Sequence, residues 1–590
     1  MKTLKVLALI SLIFLLPCHS YSATLGALRI SLIDGDVQIK TEDTEEWVPA
    51  SINMPLKDGD QIWVPEESRT EVQLRDGTSL RLDQNSALDI LTLDKDSYQF
   101  YLNEGHVYVN FQGLRGSSLQ IDTSASSIRV YDKSIFRIDI SGDGYTDISV
   151  YRGSLYAETK NGRTRIKEGN TLSLGEGTYA ELAPLGPSDE WEEWNRERDR
   201  KFAERGTAYR YLPDELQAYS TDFEENGKWV YVREYGYVWT PRVVVSVGWA
   251  PYRIGRWVWR GGDYVWISYE PWGWAPYHYG RWSFVASIGW FWVPPIKGAV
   301  YWGPGFVGWI QTPTYVSWIP LAPGEIYYGH GYYGPHSVNI TNININTINI
   351  AKVVYKNIHV LNAFTLIHHD TFVTGRHVDI NVRENPFLRE RIHIGRPDIK
   401  PERATVIPLV KEIPQAKRPP VPIREIKVKE LKDSRPFVRD RNASVITPAS
   451  PPKALPLKTR EGIEKPKLMR EEVGKPKATN EGIEKPETTR KVIEKPQTMK
   501  EETEKPKAIR RETTKPKPVQ ESIEKPKSTK VEIEKPKVSQ PVVRGVEKPR
   551  ESRPLVQGTQ NPKEPKQVEK RTETPLEPKP SGKEAGKPGS

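Results

Sequence analysis

The chain has one cysteine in 590 residues, Cys18, and four methionines. A single thiol closes no internal disulfide, so stability must come from apolar cores, which a chain of this length can supply. After residue 16 no apolar run is long enough to span a bilayer. No nucleophile elbow, zinc-helix motif or phosphate loop accompanies its Ser, His and acidic residues, so neither catalysis nor a cofactor is expected. The formal net charge is +10, yet Lys and Arg are interleaved with Glu over much of the length. That pattern sets no basic face apart, and nucleic acid is not an expected partner.

What is present begins with a short basic start, Met1-Lys2-Thr3-Leu4-Lys5, and an apolar run from Val6 to Leu16. Small residues follow, so residues 1–22 read as a secretory signal cleaved after Ser20, Ser22 or Ala23. A retained anchor helix and lipidation at Cys18 are the alternatives, and Pro17 and His19 fit the second poorly. Cleavage would leave a mature chain with no cysteine and no transmembrane helix, which suits an exported protein of the periplasm or cell surface.

Residues 27–183 alternate apolar and polar side chains in short runs, as in Leu28-x-Ile30-x-Leu32 and Ser79-Leu80-Arg81-Leu82. Tight turns such as Asp76-Gly77 and Gly142-Asp143-Gly144 separate the runs. This predicts an all-β roll, sandwich or solenoid. The Asp-Gly turns need those residues for their backbone angles, and the carboxylate spacing completes no calcium loop. The ordered series Gly59-Asp60-x-Ile62, Glu71-Val72-x-Leu74-x-Asp76-Gly77-Thr78-x-Leu80, Leu102-x-x-Gly105-x-Val107-Tyr108 and Val150-Tyr151-x-Gly153-Ser154-Leu155 resembles the periplasmic domain of FecR-type proteins. The resemblance implies a β domain used for protein contact or sensing. Members similar to the iron-citrate sensor place an anti-sigma segment and a membrane helix ahead of this domain. Here the signal peptide is expected in that place, so a transmembrane regulator is not implied.

A charged helix is predicted over 188–206, capped by Ser188 or Asp189, with Trp191 and Trp194 on one face to dock it. Fourteen of the eighteen tryptophans then fall between Trp229 and Trp318. The phrase Gly-Trp-Ala-Pro-Tyr-x-x-Gly-Arg-Trp occurs at Gly248 and again at Gly273. Such self-similarity indicates a repeated supersecondary unit. Three hairpins are predicted around Tyr235-Gly236, Gly261-Gly262-Asp263 and Ser287-Ile288-Gly289, with a divergent fourth from Val300 to Pro320. Most of the rings are expected in the core. Trp272 and Trp274, on a connection, are the expected exposed pair, with Tyr277 beside them. Arg256 and Arg281 precede Trp257 and Trp282, where a guanidinium can stack on an indole. These five residues are the candidate binding site. From about Tyr209 to Gly375 the chain resembles a Trp-rich domain of unknown function often found behind FecR-like domains in secreted bacterial proteins, and this implies no activity.

Asn339 to Ile350 alternates Ile with Asn or Thr, which predicts a strand with one apolar face. His368-His369-Asp370 is read as structural rather than as a metal site. From about residue 401 Pro, Lys and Glu dominate, and eight decapeptides fill residues 461–540. A proline every ten residues forbids a long helix, so the tail is expected to be disordered.

The chain thus reads as mostly β. It comprises a signal peptide (1–22), a FecR-like β domain (27–183), a linker helix (188–206), Trp-rich hairpins (209–325), an Asn/Ile-rich β extension (326–400) and a disordered tail (401–590). The expected function is that of a non-catalytic scaffold or binding protein of the cell envelope, its partner an envelope protein or polysaccharide. The alternatives are a signal sensor acting through a membrane partner and a glycan-binding protein using exposed tryptophans.

Overall fold

The computed structural model describes residues 25–441, apart from 143, 176–179, 205, 243–247, 344, 346–347 and 350–352. The predicted signal peptide and the decapeptide repeats lie outside the described residues.

Period-two alternation puts the apolar side chains of each N-terminal strand on one face. Two sheets result, and their inner faces meet in one core that includes Leu28, Val72, Leu88, Phe100, Val107 and Ile138. The long strand Ser97–Phe111 belongs to both sheets. Its residues 98–104 pair with Ser86–Leu93, and residues 105–111 pair with Ser134–Ile140. Gly105 sits at the changeover with φ 84, and Asn85 O and Ser86 leave no room for a Cβ there. The hairpin expected at Asp76-Gly77 forms, with Gly77 at φ 87 and Asp76 Oδ1 accepting from Thr78 N at 2.8 Å. These aspartates serve turns.

Many outward side chains of both sheets are polar and yet buried. On the first sheet they include Arg29, Glu71, Gln73 and Arg81, and on the second Gln38, Asp89, Gln99, Gln120 and Asp122. Each face is covered by a later part of the chain. The linker helix Glu190–Ala203 lies on the first sheet, capped by Asp189, whose side chain accepts from Glu192 N. Trp191 packs edge-on against Tyr108 at 6.3 Å, and the Arg137 guanidinium lies 4.6 Å from its ring centre. Trp194 sits under Arg69. The docking role read for this helix is therefore seen.

In the Trp-rich module four hairpins form. They pair Gly227–Val232 with Gly236–Pro241, Gly255–Arg260 with Asp263–Ser268, Arg281–Val285 with Gly289–Val293, and Val307–Gln311 with Tyr315–Pro320. Indoles face each other across the ladders at Trp229↔Trp239, Trp257↔Trp266, Trp282↔Trp292 and Trp309↔Trp318. The four cross-strand pairs line one aromatic core. The Trp-Ala-Pro-Tyr phrases make the corners, and the two copies meet: Tyr252 donates its hydroxyl to Tyr277 O at 2.9 Å.

Two expectations are corrected. Among the described residues of the Asn/Ile-rich segment only Ser337–Asn339 is a strand, paired in parallel with Tyr327–Gly329, and residues 344, 346–347 and 350 of the predicted strand lie outside them. That partner is too short to extend the ladder, and Asn339 Oδ1 instead accepts from Thr341 N, a local turn bond that competes with pairing. Ile340 is buried, while Ile343 is 41% exposed. The extension over 326–400 is thus largely irregular, though Thr365–His368 adds a strand to the fourth hairpin. Second, residues 401–441 do not begin a disordered tail. They form short helices, among them Val421–Arg424 and Val428–Ser434; Ala404 and Pro408 accept from Arg256 and Tyr269 of the Trp-rich module, and the helices lie on the N-terminal domain. Their own composition cannot build a core, but Ile423 and Leu431 fill apolar sites on the second sheet.

Trp257 and Trp272 are 3% and 5% exposed. Alanine at either position is expected to cost about 3 to 5 kcal/mol in a denaturant titration of the full chain. A Trp272→Ala variant as stable as the parent would show that this ring is not core.

Candidate functional site

The five residues singled out as a binding site do not form one. Trp272 and Trp274 are 5% and 1% exposed and Tyr277 is fully buried. The connection folds inward because Trp272 finds aromatic partners on every side, with ring centres 5.1 Å from Trp239, 5.6 Å from Tyr277 and 6.3 Å from Trp282. The chain from Trp274 to His278 turns helical and packs Trp274 on His278. Arg256 is also buried and donates to Val373 O and Ala404 O. Arg281 stacks on Phe306, 3.7 Å from the ring centre, and not on the neighbouring indole. Beneath the connection, Glu270 accepts from Trp249 Nε1 at 3.0 Å and from the Tyr277 hydroxyl. Burial pushes its carboxyl up to about 7. These groups hold the corner together.

The second hairpin has two different faces. Trp257, Trp259, Tyr264 and Trp266 point into the aromatic core, whereas Val258, Val265 and Ile267 enter the core of the N-terminal domain. Arg260, on the aliphatic face, is fully buried and pairs with Asp43 Oδ2 at 2.7 Å and with Asp60. Asn53 donates to Ser268 O at 3.1 Å and to Glu270 O at 2.7 Å, and its Oδ1 accepts from Arg29. Arg29 also pairs with Asp222 at 2.6 Å. Charges and amides along this seam are matched across the two modules.

Two aromatic clusters reach solvent among the described residues: the Tyr301–Tyr332 pair, with ring centres 5.4 Å apart, and a larger one on the first hairpin. Tyr231 and Tyr237, opposite each other on the first hairpin, are 63% and 46% exposed. Tyr211 stacks on Tyr237 with centres 4.1 Å apart, and Tyr231 meets Tyr237 edge-on at 5.5 Å. Half-buried Trp229, 5.2 Å from Tyr211, connects this face to the core. A tyrosine offers a flat apolar ring and a hydrogen-bonding tip, the combination that suits a ligand with both C–H and hydroxyl groups. A cleft of about 1110 Å³ opens elsewhere, where the first sheet, the linker helix and the Trp-rich module meet. Its rim mixes Arg75, Lys95 and Arg200 with Asp94, Asp96 and Glu215, so it favours neither charge. Among the described residues no group of three or more His, Cys, Asp or Glu is placed to hold a metal ion. His368 Nδ1 accepts from Asp370 N and so caps the short helix His369–Thr374.

Comparison with known proteins accounts for both modules. Residues 60–156 match the FecR protein family, and residues 220–325 match a family of unknown function, DUF6600. The chain carries a FecR domain followed by a DUF6600 domain. No curated protein matches it. Two crystal structures of a candidate anti-sigma factor from Parabacteroides distasonis are similar to part of the chain, at 17% and 15% identity and TM-scores of 0.21 and 0.20. The matches cover 23% and 26% of this chain and 64% and 68% of those chains.

Of the groups that meet the DUF6600 domain, Arg29, Asp43 and Asn53 lie outside the FecR match, and Asp60 is its first residue. Sequence reasoning missed this seam because its partners are about 200 residues apart. The aliphatic set Val258, Val265 and Ile267, opposite the indoles, was the available signal. The exposed tyrosines share the aromatic strand pattern of the buried rings, and only the pairing of Tyr231 with Tyr237 at the end of the first hairpin sets them apart. Replacing Arg260 by Met should cost about 3 to 5 kcal/mol, since Asp60 and Asp43 would lose their buried cation. Adding Asp60→Asn should recover part of that loss in denaturant titrations. Equal stability of parent and Arg260→Met would refute the assignment of this pair.

Proposed function

We propose that this protein is an exported, non-catalytic binding protein of the bacterial cell envelope, and that its DUF6600 domain binds a polysaccharide of that envelope on the Tyr211, Tyr231 and Tyr237 face. The observation that carries the reading is the exposure of this stacked tyrosine cluster, when Trp272 and Trp274 of the second corner are buried and Trp249 of the first is half-buried. Ring faces accept the C–H surface of a sugar, and phenol hydroxyls meet its hydroxyl groups. Export is supported by the basic, apolar and small-residue order of residues 1–22. No helix among the described residues is long and apolar enough to cross a membrane, which is compatible with that reading.

A second reading is favoured by the FecR domain: a signal-sensing or regulatory component that acts through a separate membrane partner. Crosslinking and pull-down from the native envelope separates the two. Recovery of one membrane regulator in stoichiometric amount favours sensing.

The binding reading is tested by titrating the full chain with fragments of envelope polysaccharide while following tryptophan fluorescence. Tyr231→Ala/Tyr237→Ala should weaken binding about tenfold or more. Stability should fall by only about 1 to 2 kcal/mol, because the double variant loses the Tyr231–Tyr237 pair and the Tyr211 stack but no ring of the buried core. Undiminished binding by the double variant would sink the tyrosine-face assignment.

A further inference from the structure

The segment from Lys411 to Arg441 crosses the outer face of the second FecR sheet strand by strand. Its main chain is read by side chains of the sheet. Gln38 Nε2 and Trp63 Nε1 both donate to Lys417 O, at 2.6 and 3.0 Å. Gln99 Nε2 donates to Arg435 O at 2.7 Å. Gln120 donates to Pro436 O at 3.2 Å and accepts from Val438 N at 3.1 Å. Two side chains of the strap are anchors. Ile423 enters a site formed with Trp63 and Ala87, and Leu431 one formed with Leu91 and Tyr101. These receptor residues lie on the outward phase of their strands, the phase that is otherwise polar, so the sheet carries apolar sockets on a polar face.

Around the anchors the contact is electrostatic. Lys411, Lys432 and Arg439 pair with Asp36, Asp58 and Asp94 at 2.6, 3.2 and 2.8 Å. Lys417 and Arg441 reach Glu67 and Asp132. Most of these cations remain exposed: Lys432 is 45% and Arg439 71% accessible. Exposed pairs contribute little and weaken with salt. Two apolar anchors, buried Pro419, buried Arg435 over Tyr101 and a few main-chain bonds must therefore order some thirty residues against their conformational entropy. A segment held in this way opens locally while the sheet below it stays folded.

We propose that the outer face of this sheet is a peptide-docking groove which residues 411–441 occupy in cis, and that it accepts in trans an extended Lys/Arg-rich segment of a partner protein bearing two apolar anchors. Main-chain recognition by Gln99 and Gln120 tolerates different sequences, the sockets set the anchor spacing, and the acidic rim selects for basic segments. This groove lies on the FecR domain, remote in sequence from the tyrosine face, and stands whether or not that face binds polysaccharide.

The test uses the full chain and a labelled synthetic peptide of residues 411–441. Ile423→Asp/Leu431→Asp in the full chain should undock the strap, and fluorescence anisotropy should then show the labelled wild-type peptide binding. The parent should bind it about tenfold or more weakly, because its own strap competes at a high effective concentration. A peptide carrying the same two substitutions should not bind. Equal binding by parent and variant would overturn the proposal. So would absent binding by a variant whose circular dichroism and melting match the parent. Should the variant fail to fold, hydrogen exchange on the parent decides. Raising salt from about 0.05 to about 0.5 M should speed exchange in residues 411–441 and not in the strand Ser97–Phe111. A strap as protected as that strand at both salt concentrations would overturn the proposal.

Discussion

Glu71 is buried on the outer face of a sheet, and three charges settle around it. Arg81 Nε reaches it at 2.7 Å, Arg198 from the linker helix binds both of its oxygens at 2.6 and 2.8 Å, and Asp199 pairs in turn with Arg81 at 2.8 Å. Despite burial, these guanidinium partners hold the Glu71 carboxyl down at about 2. A buried charge without a partner costs several kcal/mol, so a sheet face of this composition is tolerable only when the rest of the chain supplies the partners. The same requirement recurs at Arg29, Arg260 and the carboxyls of the second sheet. It explains why the linker helix, the second hairpin and the strap lie where they do.

The architecture follows from that requirement. The FecR sandwich has an aliphatic inner core, and its outer faces are finished by other parts of the chain. The linker helix brings Arg198 and Trp191 to the first sheet. The DUF6600 domain brings Arg260 to Asp60 and Asp43 and adds three aliphatic side chains to the FecR core. The strap covers Asp89 and Asp122, whose carboxyls burial raises above their ordinary values. Asp89 is held by Asn103 and Gln61, and Asp122 by Gln99 and Gln120. Both carboxyls are thus held by amides of the FecR domain itself, whereas Glu71 is held by Arg198 of the linker helix as well as by Arg81.

Much of this was legible in the sequence. Alternation and Asp-Gly turns revealed the β domain, and the repeated Trp phrases revealed four hairpins and their corners, because local periodicity reports local structure. Trp191 and Trp194, spaced to share a helix face, revealed a docking surface. Besides the seam and the exposed tyrosines, three things were not legible. Trp272 and Trp274 lie on a connection and look exposed by position, yet neighbouring indoles from distant repeats enclose them. The Asn/Ile alternation satisfies a strand pattern, but a strand also needs a partner edge, and the edge it meets among the described residues, Tyr327–Gly329, is short. The basic stretch after residue 401 has too little apolar surface to fold alone. It orders on Trp63, Leu91 and Tyr101, whose outward phase was the sign that something would cover them.

The central claim is that the FecR and DUF6600 domains are completed by each other's side chains and fold as one unit. Scanning calorimetry of the full chain tests this most directly. The account predicts a single transition for the two domains, which Arg260→Met shifts downward as a whole. Two well-separated transitions in the parent, with Arg260→Met moving only one of them, would contradict it.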